Sequence, residues 1–463
     1  MKIYKRLKDI HLLNHSFKWS APSIVETIGR LLSTSVTIAV LLKVEFGFLG
    51  VGIIVFTYLG FLQFGVTDAL MLELPKKYIK NQYLSMKNDT EVSMSFIIIN
   101  YFIFGPIIAI GGLVFSIDNN LITIITVYYF TSILYQVYLH HILINRFMYD
   151  FNVVAYARYM NAITRGVFQS LAVYYYGLNG FLFIESILYI IPIILLRKYG
   201  QFILSFKLDL GLLKKYLSIG FPLFIIAVLG VLSSTVDRWF ATAIDSYEGM
   251  ASFSFIGFMA TLLLFIPNQT LSIFSQYSRE YLATSAENSK DTLFSHYISY
   301  GIFFTAIFGI VGVISIDIAY YTIKYFLPEY IDVLQLLPIV VIVIMQKISI
   351  STIRNYCIIT GMQNIVLYNN LYSIMFIILS NSVLLYFNFL TAFNIVLISA
   401  FAVFLQYIYI LYKLNKIQLS IFTRHLYIFG FLIIFVSANC YFEYIIQPFN
   451  PIIFNSHIWI IYT

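Results

Sequence analysis

The chain has 463 residues, of which 60% are hydrophobic and only 11% are charged. A soluble domain carries about 25% charged residues, so this composition excludes an ordinary soluble protein. The net charge of +7 is better explained by basic cytoplasmic loops of a membrane protein than by nucleic-acid binding. Two cysteines and seven scattered histidines predict no disulfide framework, and we expect no metal site, no cofactor and no catalytic residue.

The apolar residues fall in long blocks, each near the ~20 residues that a helix needs to cross about 30 Å of hydrocarbon. A membrane β-barrel would show short alternating segments instead. The sequence therefore predicts an all-α polytopic membrane protein with 12–14 transmembrane helices. In chain order the predicted spans are 20–43, 46–72, 92–116, 120–143, 153–176, 178–196, 216–243, 250–276, 296–317, 333–355, 366–386, 390–412 and 426–447, with a short final block at 451–463.

The distribution of Lys and Arg predicts the orientation. Alternate loops, beginning with the N-terminus, hold most of these residues, and Arg354 is counted among them. The opposite loops hold only Lys43 and Lys324. The positive-inside rule then predicts a cytoplasmic N-terminus and a bacterial inner-membrane location. The basic stretch 1–19 has no apolar region of its own, so we expect an amphipathic lead-in and not a cleaved signal peptide.

A short internal repeat relates the two halves of the chain. Pro22 and Pro222 are 200 residues apart, and the same offset aligns 32–36 (LSTSV) with 232–236 (LSSTV). Each motif lies in a helix that follows a basic lead-in, and six helices separate the two starts. This pattern favours two related halves, as in many transporters.

Charged residues inside the spans are the strongest candidates for function, because a charge at the bilayer centre costs at least about 2.5–3.5 kcal/mol unless it faces water or a partner. Three helices carry such cations, and helical spacing places the members of each helix on one face. We predict that they line a common aqueous cavity for an anionic substrate. These residues are Arg30 on the first helix, Arg158 and Arg165 on the fifth, and Lys347 on the tenth, which shares its face with Ser351 and Arg354.

Two alternatives remain open for these cations. Glu26 is four residues before Arg30, so the two side chains can form a local ion pair. Arg158 lies near the predicted cytoplasmic face and can extend its guanidinium to that surface.

A second set of charged residues is predicted to serve gating or ion coupling. Asp237 and Arg238 are adjacent near the outer end of the seventh helix, where a structural or gating pair is favoured over substrate contact. Asp68, near the cytoplasmic end of the second helix, is interpreted as a solvated helix-end charge or a proton site. Glu185 is a candidate ion-coupling site, and Glu26 belongs to this set if it does not simply pair with Arg30.

Four short segments resemble a known family. The segment 216–222 (YLSIGFP), followed by 233–238 (SSTVDR), resembles the seventh-helix signature of polysaccharide-transporter flippases of the multidrug/oligosaccharidyl-lipid/polysaccharide exporter superfamily. The segments 46–50 (FGFLG) and 64–70 (FGVTDAL) fit the first two helices of that family. The chain departs from the pattern at 413–463, which fits neither twelve nor fourteen helices.

The resemblance implies two six-helix lobes that form a V around a central cationic cavity, with alternating access. The implied divisions are an N-terminal lobe at 1–196, a cytoplasmic linker at 197–215, a C-terminal lobe at 216–412 and one or two additional membrane segments at 413–463. The implied function is translocation of undecaprenyl-diphosphate-linked O-antigen, or a similar polysaccharide repeat unit, from the cytoplasmic to the periplasmic leaflet. Counterflow of a proton or sodium ion is expected from the superfamily.

Other functions are considered beside this one. A polytopic polysaccharide polymerase would be an enzyme with large external loops, which are not predicted here. A drug exporter of the same superfamily would favour an acidic cavity for cationic drugs, and a lipid II flippase typically has fourteen helices. We expect the partners to be lipid-linked oligosaccharide, the lipid bilayer, a polysaccharide polymerase and a chain-length regulator, with no nucleic acid.

Overall fold

The computed structural model describes residues 2–115, 118–148, 150–284 and 289–414, and these residues form helices joined by short connections. Ten stretches of this helical structure are long and apolar enough to cross a membrane, which makes the chain a multi-pass membrane protein. The helices are α1 (Lys2–Val40), α2 (Lys43–Leu59), α3 (Val66–Ile79), α4 (Tyr83–Phe115), α5 (Asn119–Phe147), α6 (Phe151–Ile163), α7 (Ser170–Ile187), α8 (Ile190–Tyr199), α9 (Leu210–Thr284), α10 (Ser289–Phe326), α11 (Leu337–Ile359), α12 (Gln363–Tyr386) and α13 (Ala392–Lys413).

Two of the ten stretches fold back on themselves. Phe151–Tyr199 reverses at Gly177, whose φ of 57° is in the left-handed region, and α9 reverses at Ser246, whose φ is 56°. The arms touch in both cases: a Cβ atom placed on Gly180 would lie 2.0 Å from the carbonyl oxygen of Ala172. When the arms of the two reversals are counted separately, the described residues contain twelve apolar helical arms, which agrees with the twelve-helix minimum and with the breaks predicted at 176–178 and 243–250.

Each half of the chain packs as a bundle. In the first half α1 lies against α6 and α7, while α5 lies against α2 and α4. In the second half the first arm of α9 lies against α12, and α11 lies between α10 and α13. The predicted thirteenth span and the block at 451–463 fall outside the described residues.

The predicted linker at 197–215 is fixed to the first half of the chain. Residues 200–209 between α8 and α9 are not helical. The backbone N–H groups of Ser205 and Lys207 donate to Glu91 Oε1 (3.0 Å) and Ser95 Oγ (2.8 Å) on α4. These bonds satisfy backbone donors that the extended stretch would otherwise leave open.

The prediction of one continuous helix over 46–72 is wrong. A 3-10 turn at Gly60–Gln63 ends α2, and Phe64 (φ 46°) and Gly65 (φ 79°) follow in the left-handed region before α3 begins. The break brings two backbones together, because a Cβ atom on Gly65 would lie 2.2 Å from the carbonyl oxygen of Gly220 on α9. Only glycine fits at such a crossing.

The two halves also meet at the end of the bundle that contains residues 41–43, 177, 245–246 and 328–335, which we call the predicted periplasmic end. There a Cβ atom on Gly47 would lie 2.0 Å from the carbonyl oxygen of Tyr247. The opposite end, with residues 80–82, 148, 150, 200–209 and 360–362, is called the predicted cytoplasmic end. Near it, Lys215 Nζ lies 3.2 Å from Glu73 Oε2.

Glu73 on α3 lies outside the ten stretches that can cross the membrane, and its partner Lys215 is in the second turn of α9. Hydrogen bonds from Lys76, and then from Lys215, hold the pKa of Glu73 below its ordinary value. The carboxylate therefore stays ionised at neutral pH and links α3 to the start of α9.

Candidate functional site

The predicted charged residues of the first half form one group, which we call the N-lobe cluster. Tyr135 on α5 lies within electrostatic range of four of its members, so the side chains share one polar region between α1, α5 and α6. The members of the N-lobe cluster are Glu26, Arg30, Arg158, Arg165 and Glu185.

Glu26 pairs across helices and not along its own helix. Its Oε1 accepts a hydrogen bond of 2.9 Å from Asn161 Nδ2, and its Oε2 lies 4.0 Å from Nε of Arg158. Arg158 also donates to Ser23 on α1. The local ion pair between Glu26 and Arg30 is not formed, and the side chain of Arg158, only 15% exposed, is directed at α1 and not at the membrane surface.

Arg165 and Glu185 form a buried ion pair between the two arms of the reversal at Gly177. Nη2 of Arg165 lies 3.1 Å from Glu185 Oε1, and the two side chains are 16% and 5% exposed. Gln169 Nε2 donates to Oε2 of the same carboxylate at 2.9 Å. Ser33 on α1 donates to Gln169 at 2.7 Å, which extends the network to the first helix. Both charges predicted here therefore have a structural partner.

The helix is locally widened where it carries Arg165. Residues Thr164–Gln169 form a π-helical segment between α6 and α7. Such segments are rare in proteins as a whole, but those that occur are often found at functional sites. The segment lies against α1 at a close approach, where a Cβ atom on Gly166 would lie 2.9 Å from the Cα of Gly29. This close packing directs Arg165 and Gln169 toward Glu185.

Arg30 differs from the other cations of the N-lobe cluster. Its side chain is exposed, and within the described residues no carboxylate lies within 4 Å of it. Arg30 is therefore the member of this cluster whose guanidinium is available to a substrate anion.

The predicted residues of the second half form the C-lobe cluster, defined by Asp237, Arg238 and Lys347. Asp237 interacts electrostatically with both cations but lies within 4 Å of neither. Its Oδ2 accepts a hydrogen bond of 2.7 Å from Ser399 on α13. Lys347 on α11 is exposed, whereas Arg238 is half-buried with its guanidinium against Gly257. The adjacent pair predicted at 237–238 is therefore not a direct ion pair.

Helix α2 connects the two clusters. Phe56 packs its ring against Tyr135, which lies in the N-lobe cluster, with 5.5 Å between ring centroids. Two residues later, the hydroxyl of Tyr58 lies 2.8 Å from Thr235 Oγ1 and accepts a hydrogen bond of 3.1 Å from Trp239 Nε1. Thr235 and Trp239 flank the C-lobe cluster on α9, so one helix of the first half contacts both groups.

Asp68 lies apart from both clusters, in the first turn of α3. Its side chain is half-buried, and its Oδ2 is buried without a hydrogen-bond partner in the described part of the chain. Asp68 is therefore at a helix end, as predicted, but at the start of α3 and not at the end of the second helix, and its buried Oδ2 disfavours the interpretation as a solvated charge.

Sequence reasoning missed Arg354 as a buried cation. It was counted among the loop residues, but α11 continues to Ile359 and holds the half-buried Arg354 inside the bundle. The seven-residue spacing between Lys347 and Arg354, which places both on one face of a helix, was the sequence feature that could have indicated this. The contributions of Asn161 and Gln169 were also missed, because amides in membrane helices have no distinctive sequence pattern.

Solved structures with a similar fold are transporters. An inward-facing multidrug resistance MATE family transporter of the MOP superfamily matches with a TM-score of 0.66 and 12% identity over 87% of this chain and 98% of that chain. The outward-facing conformation of such a transporter matches with a TM-score of 0.61 and 13% identity over 87% and 95%. The likeness shows that the chain has the two-lobe helical fold of these proteins.

A third similar structure bears on pocket charge. It is a MOP superfamily transporter from Pyrococcus furiosus Vc1, with a TM-score of 0.64 and 12% identity over 87% of this chain and 95% of that chain. In that protein, the reverse polarity of the binding pocket suggests a different function. Comparison of the sequence with protein-family models and with curated proteins gives no match.

The two clusters together carry a net positive charge. They contain five cations and three carboxylates, and Arg158 and Arg165 are each close to a glutamate. Arg30 and Lys347 remain exposed without a carboxylate within 4 Å in the described residues. No group of three metal-ligating side chains occurs in that part of the chain. The chemistry that this arrangement supports is binding of an anion between the lobes.

Proposed function

We propose that the chain is a transporter that moves an anionic, lipid-linked oligosaccharide across the bacterial inner membrane by alternating access. The observation that carries the proposal is the pair of exposed cations, Arg30 and Lys347, one in each half of the fold. Guanidinium and ammonium groups bind phosphate oxygens strongly, so a diphosphate head group suits this pair.

The fold supports the transport part of the proposal, since the similar solved structures are transporters. The proposal that the cargo is linked to a lipid rests on the size and polarity of such a molecule. A polyprenyl chain can remain in the bilayer while its diphosphate and sugars pass between the lobes, where hydroxyl and amide groups accompany the charges.

Export of drugs is the second candidate, because the names of the similar structures refer to multidrug resistance. A cavity for cationic drugs is expected to present unpaired carboxylates. In the two clusters, Glu185 is paired with Arg165, Glu26 accepts from Asn161, and the half-buried Asp237 accepts from Ser399. The fully exposed charges are therefore cationic. This charge favours the anionic substrate.

A reconstituted translocation assay tests the proposal. The full chain is placed in liposomes with a fluorescent disaccharide linked to a short polyprenyl diphosphate, and movement between leaflets is measured by quenching from outside. Arg30→Gln and Lys347→Gln are each expected to reduce the rate at least tenfold, because each removes a charged contact with phosphate. Neither change leaves a carboxylate unpaired, so the thermal unfolding temperature is expected to stay unchanged.

Lys324→Gln is the matched control, since Lys324 lies at the predicted periplasmic end and stacks on Tyr320. It is expected to leave the rate unchanged. Transport of ethidium is measured in the same liposomes. If the diphosphate lipid is not moved and ethidium is, the chain is a drug exporter and the proposal is wrong.

A further inference from the structure

Arg354 on α11 is a half-buried cation. Within the described residues no carboxylate lies within 4 Å of its guanidinium. The side chain extends toward the first arm of α9, where a Cβ atom placed on Gly230 would lie 3.7 Å from Nη2 of Arg354. A charge kept inside a membrane protein without a partner is a candidate for substrate contact.

The internal repeat relates the position of the Arg354 guanidinium to that of Arg30 in the first half. The 200-residue offset that aligns Pro22 with Pro222 also aligns Arg30 with Gly230. The C-terminal half therefore has no cation at the position equivalent to Arg30, and the guanidinium of Arg354 lies over the glycine at that position.

The surrounding contacts follow the same offset. In the first half Asn161 donates to Glu26 on α1, and in the second half Asn370 donates to the carbonyl oxygen of Ile226 on α9 at 3.3 Å. Residues 26 and 226 are again 200 apart. The two lobes thus place an amide and a guanidinium at equivalent positions, although the guanidinium comes from different helices.

The neighbourhood of Arg354 contains an unused hydrogen-bonding group. Asn370 is fully buried, and its Oδ1 has no partner in the described part of the chain. Its Nδ2 would lie 3.8 Å from a Cβ atom on Gly230, so the amide and the guanidinium border the same space. Lys347 precedes Arg354 by seven residues on one face of α11, a separation of about 10 Å along the helix.

We infer that Arg354 forms a second phosphate-binding subsite, nearer the predicted cytoplasmic end than Lys347, which holds the diphosphate of the lipid-linked substrate before Lys347 does. This inference rests on the proposed function, and it assigns Arg354 to the same substrate pathway between the lobes. The planar guanidinium can hold two phosphate oxygens at once.

Binding of undecaprenyl diphosphate to the full chain in nanodiscs of neutral phosphatidylcholine tests the subsite. Arg354→Gln is expected to raise the dissociation constant about tenfold, the size of one charge-assisted hydrogen bond. Arg354→Lys keeps the charge and is expected to stay within about threefold of the unchanged chain. The double variant Arg354→Ala with Gly230→Arg moves the guanidinium to the position equivalent to Arg30 and is expected to restore binding.

The controls separate the possible failures. Arg146→Gln changes an arginine at the end of α5, against the ring of Phe147, and is expected to leave binding unchanged. If Arg354→Gln binds normally while Lys347→Gln binds weakly, the subsite is wrong and the proposed function stands. If Arg30→Gln, Lys347→Gln and Arg354→Gln all bind normally, the proposed function is wrong as well.

Two further results overturn the inference. One is a double variant that folds but does not regain binding, because the site would then need more than a guanidinium at that position. The other is an equal effect of Arg354→Gln on binding of phosphatidylglycerol added to the nanodiscs, because the residue would then hold an ordinary membrane phospholipid and not the diphosphate substrate.

Discussion

The ammonium nitrogen of Lys43 lies 3.1 Å from Oδ1 of Asp332, although the two residues are 289 positions apart in the chain. Lys43 also donates to the carbonyl oxygen of Glu329 at 3.0 Å. Ser252 on the second arm of α9 donates to Oδ2 of Asp332 at 2.8 Å. One carboxylate therefore joins the first half of the fold to two segments of the second half at the predicted periplasmic end.

We predict that Lys43→Asp opens this end, because two carboxylates would then repel each other where an ion pair held the halves together. Pairs at a solvent-exposed edge contribute up to about 1 kcal/mol, so the closed population should fall up to about fivefold. The charge reversal Asp332→Lys in the same chain should restore closure. Distances between spin labels at Leu42→Cys and Ile331→Cys, in an otherwise cysteine-free chain, measure the populations.

Lys324→Asp reverses a charge at the same end without removing an ion pair in the described residues, and it should leave the distances unchanged. A double reversal that stays as open as Lys43→Asp would show that the pair does not hold the halves together.

A second prediction concerns the buried pair of Arg165 and Glu185. Arg165→Ala leaves the Glu185 carboxylate buried without its cation, which costs about 3–5 kcal/mol, so the purified protein should unfold at a clearly lower temperature. Replacing both residues with Met removes both charges and should recover most of that loss. Lys347→Met, at an exposed position, is the control and should change the unfolding temperature little. Equal stability of Arg165→Ala and the unchanged chain would contradict the ion pair.

A third prediction concerns the contact of α1 with α6. A Cβ atom on Gly29 would lie 2.5 Å from the carbonyl oxygen of Ala162, so Gly29→Val should separate the helices and destabilise the protein by about 1–3 kcal/mol. Gly60→Ala is the control, since a Cβ atom at Gly60 meets nothing within 4 Å. Thermal unfolding in detergent measures both. A normal unfolding temperature for Gly29→Val would show that the helices are not this close.

A fourth prediction concerns the carboxylate of the C-lobe cluster. Asp237→Asn keeps the hydrogen-bond acceptor for Ser399 but removes the negative charge near Lys347. Undecaprenyl diphosphate should therefore bind several-fold more tightly, because the cluster becomes more positive. Asp317→Asn, at an exposed position of α10, should leave the affinity unchanged. Weaker binding by Asp237→Asn would mean that the carboxylate itself contacts the substrate.

The number of crossings was predictable because each span is an independent apolar block. The sequence also indicated the two reversals of the chain, one by Gly177 and the other by the polar stretch that contains Asp245 and Ser246. The break between α2 and α3 was not, since Phe64 and Gly65 lie inside a continuous apolar block and their backbone is fixed by the contact with Gly220 on a distant helix.

In the predicted site, too, spacing along one helix was informative, whereas contacts between helices could not be predicted. Spacing along one helix correctly grouped Arg158 with Arg165 on the side of the helix that faces the other charges. It could not show that Glu26 would choose Asn161 and Arg158 over Arg30, because that choice depends on how α1 and α6 cross. The substrate-path and coupling roles of the individual residues stay predictions.

The crossing of Gly65 and Gly220 has a mechanical consequence. Two backbones meet there directly, with the rings of Phe64 and Phe224 packed beside them at 5.5 Å between centroids, so a tilt of one half on the other would pivot at this contact. A tilt of about 10° at this fulcrum displaces points about 30 Å away, on the far side of the bilayer, by about 5 Å. If the halves move as the proposed alternating access requires, the contact that holds them together is the pivot, and a small rotation there becomes a displacement of several ångströms at the opposite end.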